Sequence, residues 1–387
     1  MPRNEKKEVS VMEITTHQNT DLWQFNLDVV HRKTNKVIFQ PRILCWYDDR
    51  KFRDGDLPAP YTGMNDAQLY KALGVSNRVY NYCSCFSMVC DQVTYETKRL
   101  SPLETETVMH TPKGDLTMVN RSNTSNGGSY PSKWWITSEE EMNIHRWVLE
   151  NSHYEFDMQE YERVKAIWGF AGAPQAYFPR VNMQYLFHDV MGPEEGIYAL
   201  YDYPETVEKY FAALRENQER CIQTWIDSPL EICNFGDNIH AGVLSPALFE
   251  KYVLPEYQHR NELLHAGGLW TNAHWDGDVK PVLRYAQATG LDGIEAITPK
   301  PQGDVTLKEV RQALGDRMFL MDGVAAILFD PKLYPMEVLE DQVKECLDLF
   351  GGHLILGISD EMCSTGVMER VLHVRDMVDE YNSHIQE

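Results

Sequence analysis

The 387-residue sequence lacks most of what would place it on a membrane, on nucleic acid or outside a cell. No apolar stretch reaches the roughly 20 residues of a bilayer-spanning helix, and the opening MPRNEKKEVSVMEITTHQ has no apolar core of the secretory kind. A cytoplasmic protein is expected. Cations are scarce: 36 Lys and Arg stand against 58 Asp and Glu, a formal charge of -22 that repels phosphate backbones and anionic lipid. Neither nucleic acid nor a membrane surface is expected as a partner. Eight cysteines at irregular positions exclude a secreted disulfide framework. Their one cluster, CSCFSMVC, contains no CxxC pair; a strand there would turn Cys83 and Cys85 to one buried face as small apolar side chains. A metal shared by Cys83, Cys85 and Cys90 is the alternative. Glycine fingerprints such as GxGxxG or GxxxxGKS are also missing.

What is present is a 43% hydrophobic chain, enough for a large core. Its second half alternates short apolar runs with amphipathic helices. The runs are EICNFGDN (231–238), LWTNAHWDGD (269–278), LDGIEAIT (291–298), MFLMDGV (318–324) and HLILGISD (353–360). Between them, Ser245 and Pro246 fit a helix start, with Pro255 expected to kink or break that helix. Thr306 and Glu309 form a capping box. Met336, Leu339, Val343, Cys346 and Leu347 share one helical face that ends before Gly351. Strand-helix alternation implies a parallel sheet, either doubly wound or closed. Without a glycine fingerprint, and with polar residues at the end of every run, the closed (β/α)8 TIM barrel is favoured, because it gathers side chains from many strand ends at one face. A single barrel domain over 1–387 is expected, with an N-terminal extension over 1–40. A hairpin and loop insertion is expected over 104–134, where ETETVMHTPKGDLTMVN alternates about a turn and leads into a polar Gly/Ser-rich loop.

The strand ends carry the candidate chemistry: Asp237 and Asn238, His274 and Asp276, Glu295, Asp322, then Asp360 and Cys363. A barrel would bring them to one cavity. His274, Asp276, Glu295 and Cys363 make a zinc shell of imidazole, carboxylates and thiolate, and Asp237 and Asp360 are candidate catalytic acids. Each residue also has a plainer role. His274 suits a hydrogen bond, Asp276 a cap for a helix beginning near Asp278, Asp360 a cap for the last helix, and Cys363 ordinary packing. Near the amino end, PRILCWYDDRKFRDG offers Trp46 and Tyr47 as pocket walls and Arg50 or Arg53 as a carboxylate holder. A solvated strand-to-loop exit laced with salt bridges fits equally.

From Pro41 onward, and most strongly after residue 200, these motifs resemble the uroporphyrinogen decarboxylase superfamily. LSPALFEKYVLPEY is similar to its Ser-Pro-x-x-Phe helix entry, HWDGD stands at its His-x-Cys segment, and LILGISDEM lies near its closing Gly-rich turn. The resemblance implies a (β/α)8 barrel. Porphyrinogen decarboxylation does not fit, because CWYDDRKFRDG replaces the Arg-Gln-Ala-Gly-Arg segment that serves an acidic tetrapyrrole. The zinc-dependent corrinoid methyltransferases of the superfamily fit better, with Asp276 where they have a thiol. Oxygen ligands make zinc a harder Lewis acid, suited to an ether oxygen. The resemblance thus implies methyl transfer from a small methoxy compound to a corrinoid (cobalamin) cofactor supplied by a partner protein, with Trp46, Tyr47, Asn238 and Trp275 around the substrate. A homodimer is compatible with it. A metal-free decarboxylase of a small acid and a non-catalytic ligand-binding barrel are the alternatives.

Overall fold

The computed structural model describes residues 21–124 and 128–386. The opening segment, weighed above as a leader, and residues 125–127 of the polar loop lie outside them. Seven parallel strands form one curled sheet: β1 (Ile38–Phe39), β2 (Gln175–Phe178), β3 (Ile232–Ile239), β4 (Trp270–Trp275), β5 (Gly293–Glu295), β6 (Phe319–Ala325) and β7 (Leu354–Ser359). Their spatial order is β1-β7-β6-β5-β4-β3-β2. The gap between β1 and β2 is spanned by residues 75–79. Ser76 N donates to Phe39 O at 3.2 Å, Asn77 N donates to Ala171 O at 2.9 Å, and Val79 pairs in parallel with Pro174. The result is the expected α/β barrel. Residues of β4, β6 and β7 are buried throughout, as in a parallel sheet covered on both faces, and this is why these runs read as continuously apolar.

Local sequence chemistry sets most helix boundaries. Thr306 and Glu309 form the reciprocal capping box ahead of Leu307–Leu314, and Ser138 caps Glu139–Glu150. Leu339, Val343, Cys346 and Leu347 are buried on Met336–Phe350, while Met336 packs at the edge of the core. Pro255 does not break its helix. A π turn over Phe249–Val253 precedes it, and the α-helix resumes over Leu254–Ala266; the wider turn accommodates a proline that has no N–H to give. Glu104–Thr111 and Gly114–Ser122 pair as an antiparallel hairpin, extended by Thr94–Arg99 and Ser129–Lys133 into a four-stranded sheet.

Three local expectations are corrected. Ile43–Tyr47 does not continue a strand: Leu44–Arg53 is a helix, with basic residues in its last turn where they suit the dipole. Cys83 and Cys85 sit on a 3₁₀ helix, Tyr80–Cys85, so they do not share a face; Cys85 is buried, while Cys83 is half-buried and accepts from Tyr177 N at 3.1 Å. Asp276 caps nothing, since Asp304 accepts the Val279 and Lys280 amides. Among the described residues no helix is long and apolar enough to cross a membrane.

Backbone strain gathers where the barrel strands end. Asn238 (φ +51°), Ala296 (+67°) and Asp360 (+64°) lie at or just past the ends of β3, β5 and β7, and Asp322 (+79°) lies within β6. Non-glycine residues seldom adopt this region unless surrounding structure holds them there.

Candidate functional site

The site is built on a buried ionic cluster. Arg78, on the segment that spans β1 and β2, donates from Nη1 to Glu295 Oε2 at 2.7 Å and to Asp322 Oδ2 at 3.1 Å, and its Nη2 also bonds Asp322. Tyr80 OH donates to the same Glu295 oxygen at 2.7 Å. The other oxygen, Oε1, lies 2.8 Å from His274 Nδ1. Burial opposes ionisation of Glu295, but the His274 hydrogen bond and the Arg78 and Arg42 cations outweigh it and hold the carboxyl well below its usual range. An ionised carboxylate can only accept, so His274 Nδ1 carries a proton, and in the neutral tautomer the lone pair is on Nε2.

That nitrogen faces two acids. His274, Asp276 and Asp360 each offer one ligand atom, all within 4.8 Å of one another. Asp276 Oδ1 is buried and has no hydrogen-bond partner, and burial raises the pKa of this carboxyl. One imidazole and two carboxylates around an unsatisfied oxygen fit a divalent cation of the zinc type. The expected shell is therefore half changed. His274 and Asp276 belong to the trio. Glu295 has both oxygens engaged and orients His274 instead of ligating, the usual task of a carboxylate behind a metal-bound imidazole. Asp360, expected as an acid, takes the third place. Cys363 stands apart: its Sγ contacts Thr365 Oγ1 at 3.2 Å, in a turn closed by Gly366 N donating to Cys363 O at 3.0 Å.

The trio lines a cavity of about 520 Å³. Phe86, Tyr177 and Trp225 supply apolar wall, and Asn238 reaches it as expected. Trp46, Tyr47 and Trp275 are not among its lining residues. Strand alternation explains Trp275: with His274 turned inward, its neighbour faces the helices and meets Phe249 edge-on at 5.4 Å. Trp46 is buried under the last loop, its Nε1 donating to Gly366 O at 3.0 Å. Tyr47, one residue on, packs at the edge of the core beneath Lys51. Arg50 and Arg53 pair with Asp54 and Asp49 along their own helix. Asp237 is also committed elsewhere, accepting from Val181 N at 2.8 Å and from Tyr257 OH at 2.6 Å; it ties β3 to its neighbours and does not line the cavity.

Several site residues escaped sequence reasoning. Arg78 and Tyr80 come after no apolar run longer than a few residues, and Arg42 precedes a helix that reads as a strand exit. Asp189 lines the cavity with its Oδ1 2.6 Å from Arg180 Nη1. Burial pushes its carboxyl up to about 6 against the pull of Arg180. Their only signal is polarity inside otherwise apolar stretches.

A family model described as uroporphyrinogen decarboxylase (URO-D) matches residues 158–381, more than half of the chain. Among solved structures, a methyltransferase from Methanosarcina mazei superposes with a TM-score of 0.55 at 14% identity, covering 94% of this chain and 99% of that one. D-psicose 3-epimerase from Clostridium cellulolyticum H10 gives 0.35 at 6% identity, over 60% and 85%. At 14% identity the likeness to the methyltransferase is one of fold. No curated protein matches the sequence.

Proposed function

The chain belongs to the uroporphyrinogen decarboxylase family, and from that membership together with the site we propose that it is a zinc-dependent methyltransferase. It would take the methyl group of a small methoxy compound, an aryl methyl ether for choice, and pass it to the Co(I) of a corrinoid protein. The observation that carries this reading is the meeting of His274, Asp276 and Asp360 on one cavity wall, with His274 fixed from behind by Glu295. The fold shared with the methyltransferase from Methanosarcina mazei supports the reaction class.

Zinc held by His274, Asp276 and Asp360 would supply Lewis acidity to the ether oxygen, making it a better leaving group. The remaining work falls to the chain itself. Glu295 holds the proton on Nδ1 and so turns Nε2 toward the two carboxylates as the ligand atom. Phe86, Tyr177 and Trp225 give an aromatic ring its apolar surface and exclude water from it. Asp189, with a carboxyl pushed up to about 6, holds a proton closer to neutrality than an ordinary aspartate and is the cavity acid best suited to protonate the departing oxygen. It takes the part expected of Asp237.

Metal analysis and one anaerobic assay test this. Purified protein should hold about one equivalent of zinc, and His274→Ala should lose both the metal and the demethylation of methoxyarenes with reduced corrinoid protein. A metal-free preparation that demethylates at the full rate would overturn the reading.

A further inference from the structure

The cavity holds a cation whose one part in the reaction above is to help keep Glu295 ionised. Arg42, three residues past β1, lines it. Its side chain is 11% exposed, and its Nη1 is fully buried with no hydrogen-bond partner. Nearby acids do not satisfy that nitrogen. Asp322 Oδ2 lies 3.9 Å away and is already engaged by Arg78 and by the Ala296 amide. Glu361 approaches a different nitrogen, Nε, at 3.4 Å. The other arginine of the cavity, Arg180, gives its Nη1 to Asp189. A guanidinium N–H buried without an acceptor costs free energy, and a ligand that brings an acceptor recovers it.

The surroundings of that cation favour a flat apolar body. Tyr177 stacks on Tyr80 with ring centroids 4.1 Å apart and planes within 10°. It lines the same cavity as Arg42 and feels its charge. His274, Asp276 and Asp360 belong to this cavity too. The geometry points to a substrate that carries a carboxylate: a small methoxy acid whose carboxylate accepts from Arg42 while its methoxy group faces His274, Asp276 and Asp360. The methoxy end of this assignment rests on the methyl-transfer reading; the carboxylate end rests on Arg42 alone.

The test is equilibrium binding of para-methoxybenzoate and of its neutral counterpart para-methoxybenzamide to the full chain stripped of metal by a chelator. Calorimetry is the readout, and thermal melts confirm that each variant is folded. The acid should bind at least roughly tenfold tighter than the amide. Arg42→Gln should erase that preference, and Arg42→Lys, which keeps the charge should the first variant fail to fold, should retain part of it. Equal binding of the two probes, no binding of either, or a preference that persists in Arg42→Gln or returns only with added metal overturns the assignment. Because the measurement needs no turnover, the two readings fail separately. A carboxylate preference without methyl transfer sinks the reaction and leaves the Arg42 site standing. Methyl transfer from neutral and acidic methoxyarenes at equal kcat/KM does the reverse.

Discussion

Two sets of carboxylates lie close together in the barrel and behave oppositely. Glu295 and Asp322 are fully buried, and Arg78 bonds both. Asp276 and Asp360 reach the cavity with no cation of their own within the trio, and one Asp276 oxygen has no partner. The first set is what a barrel interior needs in order to tolerate charge at all, since an unpaired buried carboxylate is among the costliest groups a fold can carry. The second set is stable only because it keeps partial access to the cavity, and it is left free for a ligand. Strand-end polarity thus serves two purposes, and the number of protein partners on each oxygen separates them.

The largest effect expected from breaking this contrast comes from Arg78. Arg78→Met leaves Glu295 and Asp322 with only the more distant Arg42 as a shared cation, which should cost about 3–5 kcal/mol of stability in urea denaturation. A loss below about 1 kcal/mol would mean that the two acids share protons and do not need the cation. Asp189 lies between the two sets, paired with Arg180 yet short of full compensation. Its carboxyl is raised from 3.8 to about 6, so the folded state holds the proton more tightly than the unfolded chain does. The associated stability is complete below the unfolded value and is lost as pH rises through about 6. Relative to Asp189→Asn, the natural protein should lose about 1 kcal/mol between about pH 4 and pH 7, with the partial exposure of the pair limiting the size. A parallel pH dependence in both proteins would place the raised carboxyl elsewhere. The smallest effect sharpens the contrast from the other side. In metal-free protein Asp276→Asn should change stability by no more than about 0.5 kcal/mol, while abolishing zinc uptake. A loss of about 2 kcal/mol or more would move Asp276 into the structural set.

The barrel was legible because its strands are buried on both faces. Runs such as HLILGISD stand out as apolar segments that end in acids, and the helix caps at Thr306 and Ser138 are written in adjacent residues. The segment over 75–79 was not legible, since VSNRV carries too few apolar residues to signal a barrel strand. Arg78, the counter-ion of the interior, was hidden with it. The exchange of Glu295 for Asp360 in the trio had no local signal either. Both are acids at strand ends, and only the approach of Arg78 and Tyr80 to Glu295 shows that its oxygens are already taken. Trp46 and Tyr47 misled for the opposite reason. Aromatic residues beside charges suit a pocket wall, yet the helix Leu44–Arg53 turns Trp46 into the core.

The sequence by itself determined the alternation of strands and helices, and with it the face of the molecule on which polar strand ends would collect, because burial on both sides of a parallel sheet forces that pattern on neighbouring residues. Only the tertiary structure decided which of those polar groups are spent on one another and which remain open. Partners drawn from strands hundreds of residues apart set the charge, the proton position and the free valence of each group, and no local stretch of chain contains that information.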